Sequence, residues 1–137
     1  MFVCELLSGL WVGSPEILQN KNFLVDNDIT IIFNCTQLYN FPDNPDIQKI
    51  RLPFPPSEDT KCIEIMKINK DKIIDHIHNH IDTHNILIVC YNGKTISPLI
   101  VALYILKYGK LNKKSIYEIL LSKDPQLSLW CDLDIFN

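Results

Sequence analysis

The residues best placed to do chemistry are Cys90, Tyr91, Asn92, Gly93, Lys94, Thr95, Ile96 and Ser97. The apolar run Ile86-Leu87-Ile88-Val89 leads into Cys90 and reads as a buried strand, and Leu99 to Leu106 reads as a buried helix. Ser97 suits an N-cap and Pro98 the first helical position, so the spacing starts the helix where the loop stops. A short glycine-containing loop at such a junction turns several backbone N–H groups towards one point, and the helix dipole adds positive potential there. A thiol at the mouth of such a loop is favoured as the thiolate, the form that acts as a nucleophile. The pattern is that of a phosphate cradle with a nucleophile at its entrance. The plainer alternative, a small buried cysteine at a strand end, stays open at this level.

Cysteine, five loop residues and then a key position, set between an apolar strand and an apolar helix, resembles the signature loop of the cysteine-dependent protein phosphatases. The dual-specificity branch is the best match, and the similarity runs from about Leu10 to the end of the chain. The resemblance implies an α/β fold with three α/β/α layers: a mostly parallel central sheet of about five strands, flanked by helices, in a single domain over residues 1–137. It also implies that Cys90 stands at the nucleophile position, that residues 90–97 form the phosphate loop, and that Ser97 is the hydroxyl residue following the loop. Three positions depart from the family pattern. Val89 replaces the histidine before the cysteine, Ile96 replaces the arginine that clamps phosphate, and Pro56 falls where the general-acid aspartate is expected in the loop Pro53-Phe54-Pro55-Pro56. Glu58 and Asp59 lie close enough in sequence to replace that acid, or they simply open the next helix, where acidic residues are favoured.

Hydrolysis of a phosphate monoester through cysteine needs an in-line thiolate, donors for the equatorial oxygens, an acid for the leaving group and activation of water. Losing one preorganised donor costs ~10²- to 10³-fold, and losing the general acid ~10²- to 10⁴-fold. The expectation is a pseudophosphatase that acts by binding a phosphorylated protein or another partner protein. Two alternatives remain: a divergent phosphatase using Cys90, and a structural or interaction domain whose pocket is closed by Ile96. Lys94 could lend charge to a bound phosphate, though as a mobile point charge rather than a fork.

Composition narrows the setting. A hydrophobic fraction of 47% with 21% charged residues is that of a soluble globular domain, and a net charge of −3 gives no reason to expect bulk binding of nucleic acid. The longest apolar stretch, near residues 96 to 106, falls short of the ~20 residues a membrane span needs. The N-terminus lacks a basic n-region, so secretion is not expected. Five cysteines, at 4, 35, 62, 90 and 131, show no C-x-x-C pairing, which points to reduced thiols in a cytoplasmic compartment. Arg51 is the only arginine, so none is left over for the loop; this usage, with abundant Ile and Asn, suggests A+T-rich coding sequence and a viral or parasite source.

The elements that position the loop follow in order. Phe2-Val3-Cys4 and Leu10-Trp11-Val12 read as strands about a turn at Ser8-Gly9, and Ser14-Pro15-Glu16 opens a helix that Asp26-Asn27-Asp28 breaks. Ile29 to Asn34 is a β-branched strand, residues 37–46 are loop, and Ile47 to Leu52 is the next strand. Asn34-Cys35-Thr36 matches a glycosylation sequon only formally. Residues 61–83 are helical, in one or two pieces, with an isoleucine face and all four histidines. His76, His80 and His84 are spaced to share a face, but no Cys or carboxylate completes a known ligand spacing, so neither a metal nor a cofactor is expected. Gly109 suits a C-cap, Asn112 caps a helix ending at Asp124-Pro125, and residues 127–136 read as a last short helix.

Overall fold

The computed structural model describes residues 1–56, 60–127 and 129–137. Strands β1 (Val3–Leu7) and β2 (Leu10–Gly13) form an antiparallel hairpin about Gly9, whose φ of +79° is a left-handed value that glycine adopts without strain. The Glu5 carboxylate accepts the Gly9 N–H at 3.0 Å and closes the turn. Strands β3 (Ile29–Asn34), β4 (Gln48–Arg51) and β5 (Asn85–Val89) complete one five-stranded sheet in the order β1-β2-β5-β3-β4, parallel everywhere except in the hairpin.

Alternation along the strands divides the core into two layers. Val12, Phe33 and Ile88 join the cluster beneath helices α2 (Thr60–His80), α3 (Ile96–Tyr104) and α4 (Lys113–Lys123). Ile32, Leu87 and Val89 face the opposite side, against Ile17 and Leu18 of a 3-10 turn (Pro15–Gln19) and Leu24 of α1 (Lys21–Asp26). This is the three-layer α/β fold expected of a dual-specificity phosphatase domain. No helix among the described residues is long and apolar enough to cross a membrane.

The register sets where the site must be. Gly13, Val89, Asn34 and Arg51 pair across β2, β5, β3 and β4, so four parallel strands end in one row. The residues after that row lie beyond the carboxyl ends of the strands, the end at which open α/β sheets hold ligands.

Several local expectations are corrected. The helix opened by Ser14 is two pieces: the 3-10 turn ends at Gln19, and Asn20 caps α1 by accepting the Phe23 N–H at 3.1 Å. Strand β1 runs on to Leu7, because Leu6 is fully buried in the core. Helix α2 is one continuous piece, the first of the two forms expected, and ends at His80. Gly109 is not the cap: a π-type turn over Ile105–Gly109 carries the chain one residue further, and Lys110 takes the left-handed position at φ +55°. The last helix shrinks to a 3-10 turn, Leu133–Phe136, because Asp132 accepts the Asp134 N–H at 2.9 Å and starts it there.

Candidate active-site loop

Cys90 follows directly on β5, and its N–H donates to the Gly13 carbonyl at 3.1 Å. Ladder pairing to β2 therefore continues through the cysteine and fixes its backbone. Its side chain is fully buried, with Sγ receiving the Ser97 N–H at 3.4 Å. That contact places the thiol at the N-terminal end of α3, as the strand–loop–helix pattern requires.

The helix itself begins earlier than expected. Thr95, not Ser97, holds the cap position, and among the described residues its side chain makes no capping bond. Ser97 is the second helical residue; its N–H turns to the thiol, and its buried hydroxyl has no partner among the described residues. The N–H groups of a helix's first turn have no partner within the helix, which leaves that of Ser97 to donate to Cys90.

Gly93 lets the loop turn. Its φ is +75°, and a Cβ there would meet the Gly13 carbonyl carbon at 2.7 Å, the Phe2 ring at 2.8 Å and the Ser14 N at 2.8 Å. Two of those neighbours are backbone, held by the Ser14 N–H donating to the Phe2 carbonyl at 2.8 Å and the Phe2 N–H donating to the Ser14 hydroxyl at 2.9 Å. The β1–β2 hairpin thus forms one wall of the loop.

Inside the loop, the Asn92 side-chain oxygen accepts the Lys94 N–H at 2.9 Å and the Thr95 hydroxyl at 3.2 Å, and lies 3.9 Å from Cys90 Sγ. One loop amide is thereby already satisfied without a ligand. Lys94 leans outward: its ammonium donates to the Gln126 side-chain oxygen at 2.6 Å and lies 5.2 Å from the centre of the Phe2 ring.

The structure places the three positions that differ from the family pattern. Ile96, at the sequence position where the family pattern has an arginine, is 3% exposed and belongs to the core cluster. Val89 faces the other layer, against Ile17 and Leu18, and offers Cys90 no polar partner. Pro56 is exposed and can neither donate nor accept a proton from its side chain. Glu58 and Asp59 lie outside the described residues.

Tyr91 ties the site to its surroundings. Its hydroxyl donates to the Phe54 carbonyl at 2.9 Å and accepts the Gln37 N–H at 3.0 Å, joining the loop that carries Pro56 to the one that follows β3. Sequence reasoning placed Tyr91 in the loop without this role; no local pattern signals a contact between residues so far apart. The Asn92 bond was more legible, because an Asn side chain commonly accepts from the backbone two residues on.

Two neighbours complete the picture. Burial holds the Cys35 thiol well above its ordinary range, with nearby Cys90 adding to the shift, and the Cys35 N–H donates to the Val89 carbonyl at 2.7 Å. Asn34 is fully buried: its side-chain oxygen accepts the Thr36 N–H at 3.2 Å and its amide donates to the Tyr39 carbonyl at 2.9 Å, so the formal sequon is a structural staple. The histidine column is likewise engaged. His76 Nε2 pairs with the Gln48 side-chain oxygen at 3.1 Å, His80 Nδ1 with the His76 carbonyl at 2.8 Å and His84 Nδ1 with the Thr30 hydroxyl at 2.8 Å. Among the described residues no group of three or more His, Cys, Asp or Glu is placed to hold a metal ion.

Comparison with known proteins agrees with this geometry. The structure is similar to that of human DUSP28, with a TM-score of 0.77 at 16% identity over 97% of this chain and 89% of that one. A mouse putative dual specificity phosphatase, solved with zinc tungstate, gives 0.78 at 18% identity over 98% and 81%. The human tyrosine phosphatase-like serine/threonine/tyrosine-interacting protein gives 0.73 at 14% over 98% and 90%. Identities this low establish the shared fold alone, and no curated protein sequence matches significantly. The family model "Dual specificity phosphatase, catalytic domain" matches residues 10–131, nearly the whole chain, and with the strand–loop–helix around Cys90 in place the chain belongs to the dual-specificity phosphatase family.

Proposed function

We propose that this protein is a catalytically impaired member of its family, a pseudophosphatase that works by binding a phosphorylated protein or a partner protein. The observation that carries this reading is Ile96, six residues after Cys90, buried in the core where a phosphate-clamping arginine would have to reach into the loop. A guanidinium supplies two parallel charged donors, and no lysine can reproduce that fork. The loss of a donor (~10²- to 10³-fold) and of a general acid (~10²- to 10⁴-fold), even if not additive, leaves turnover many orders below that of an intact site. A neighbour in fold whose name describes it as phosphatase-like and interacting supports the idea that this scaffold serves binding. We place the protein in a reducing, cytoplasm-like setting on the spacing of its five cysteines, which show no C-x-x-C pairing.

A second reading, a divergent phosphatase, draws on the Cys90 thiol still receiving the Ser97 N–H. One experiment separates the two. Hydrolysis of p-nitrophenyl phosphate is compared between wild type and Cys90→Ser, with tungstate titrated in parallel against the backbone amide signals of residues 90–97. The binding reading expects no turnover above the Cys90→Ser baseline together with saturable amide shifts. Turnover abolished by Cys90→Ser overturns it, and a silent titration leaves only a partner-binding domain with a closed pocket.

A further inference from the structure

We propose that the exposed tip Leu38-Tyr39 is a docking edge for an apolar residue flanking the phosphorylated side chain of a protein partner. This rests on the phosphoprotein-binding reading above and adds to it which sequences would be preferred.

Leu38 is 89% exposed and Tyr39 51% exposed, an unusual pairing of two large apolar side chains at one loop tip. A tip of this kind would ordinarily be mobile, yet its backbone is held from four directions. The Tyr39 carbonyl accepts from both Arg51 Nη2 at 2.7 Å and Asn34 Nδ2 at 2.9 Å. Arg51 Nη1 donates to the Thr36 carbonyl at 3.0 Å, the Gln37 N–H donates to the Tyr91 hydroxyl at 3.0 Å, and Gln19 Nε2 donates to the Asn40 carbonyl at 3.1 Å. The sole arginine of the chain, absent from the phosphate loop, is spent here, with its guanidinium also 5.0 Å over the Phe41 ring.

Holding the backbone while leaving the side chains in water does nothing for the core, but it lowers the ordering cost of any partner that covers them. The position names the occupant. Tyr91 is the second residue of the phosphate loop, and its ring meets Tyr39 edge-on with centroids 6.4 Å apart. The apolar edge is therefore continuous with the loop that starts at Cys90. An extended segment that directs a phosphorylated side chain to the loop lays a neighbouring residue along Tyr39 and Leu38, and only an apolar residue gains from that contact.

The test uses peptides with a central phosphotyrosine or phosphothreonine and degenerate flanks, together with their unphosphorylated counterparts. They are selected on wild type and on Leu38→Asp, whose fold and tungstate affinity are checked first. Wild type is expected to enrich Leu, Ile, Met or Phe at a flanking position. Leu38→Asp is expected to abolish that enrichment and to weaken the selected peptide ~10-fold or more, with tungstate affinity unchanged. The same flanks selected with the same affinity by both proteins overturn the inference, as does wild type retaining no peptide. Apolar flanks lost in Leu38→Asp, but bound equally with and without phosphate, uphold the edge and overturn the phosphate reading. Tungstate binding with no flank preference does the reverse.

Discussion

The Ser97 N–H points at Cys90 Sγ across 3.4 Å, while the side chain of Ile96, one residue earlier, is turned into the core. The first turn of α3 therefore serves the thiol with its backbone, while Ile96 brings no charge to the loop. Backbone donors are set by the path of the chain and survive side-chain replacement; a guanidinium does not.

Replacing Ile96 with arginine tests whether the cradle is intact. Charge-assisted hydrogen bonds contribute ~1.5–3 kcal/mol, so Ile96→Arg should raise tungstate affinity ~10- to 100-fold by calorimetry. Loss of the buried isoleucine should lower the melting temperature at the same time. Unchanged affinity in a folded variant would mean that the amides do not converge.

Gly93→Ala should destabilise the fold by ~2–3 kcal/mol in urea melts, since it adds a left-handed penalty to a clash with backbone that cannot swing aside. The Cβ would lie under 3 Å from Gly13 and Ser14, so the β1–β2 hairpin must shift. A change under ~0.5 kcal/mol, the range of neutral surface substitutions, would show that the loop has slack the geometry does not suggest.

Tyr91→Phe keeps the ring and removes both hydroxyl bonds, to Phe54 and from Gln37. The expected cost is ~1–2 kcal/mol, accompanied by faster hydrogen exchange at the Gln37 amide. Unaltered exchange at Gln37 would remove Tyr91 as the link between the loops.

His76 should make stability depend on pH. Burial, and after it the charges of His80 and His84, hold its pKa below the ordinary 6.5. The unfolded chain therefore takes up this proton first, and the contribution present above pH 6.5 is lost as pH falls from there towards the folded value. Urea melts at pH 8 and pH 5.5 should differ less in His76→Gln than in wild type. An identical difference in both would assign the dependence to other groups.

Much of this was legible in local sequence. The β-branched runs at Ile29–Asn34 and Ile86–Val89 form parallel strands because period and branching act within one segment, and the spacing from Cys90 to Ile96 is likewise a local fact. Helix ends were less legible. Ser97 looks like an N-cap by type, but the tertiary contact of its N–H with Cys90 decided its place, and a π-type turn moved the left-handed position from Gly109 to Lys110. The uses of Arg51 and Tyr91 were not legible at all. Their partners lie 12 to 54 residues away, and only the row in which the strands end brings the loop after β3, the loop at Phe54 and the loop at Cys90 together. Sequence determined the residue types and the spacing from Cys90 to Ser97. The tertiary structure decided where the single arginine went, because a hydrogen bond depends on position in space, which propensity and periodicity along the chain do not encode.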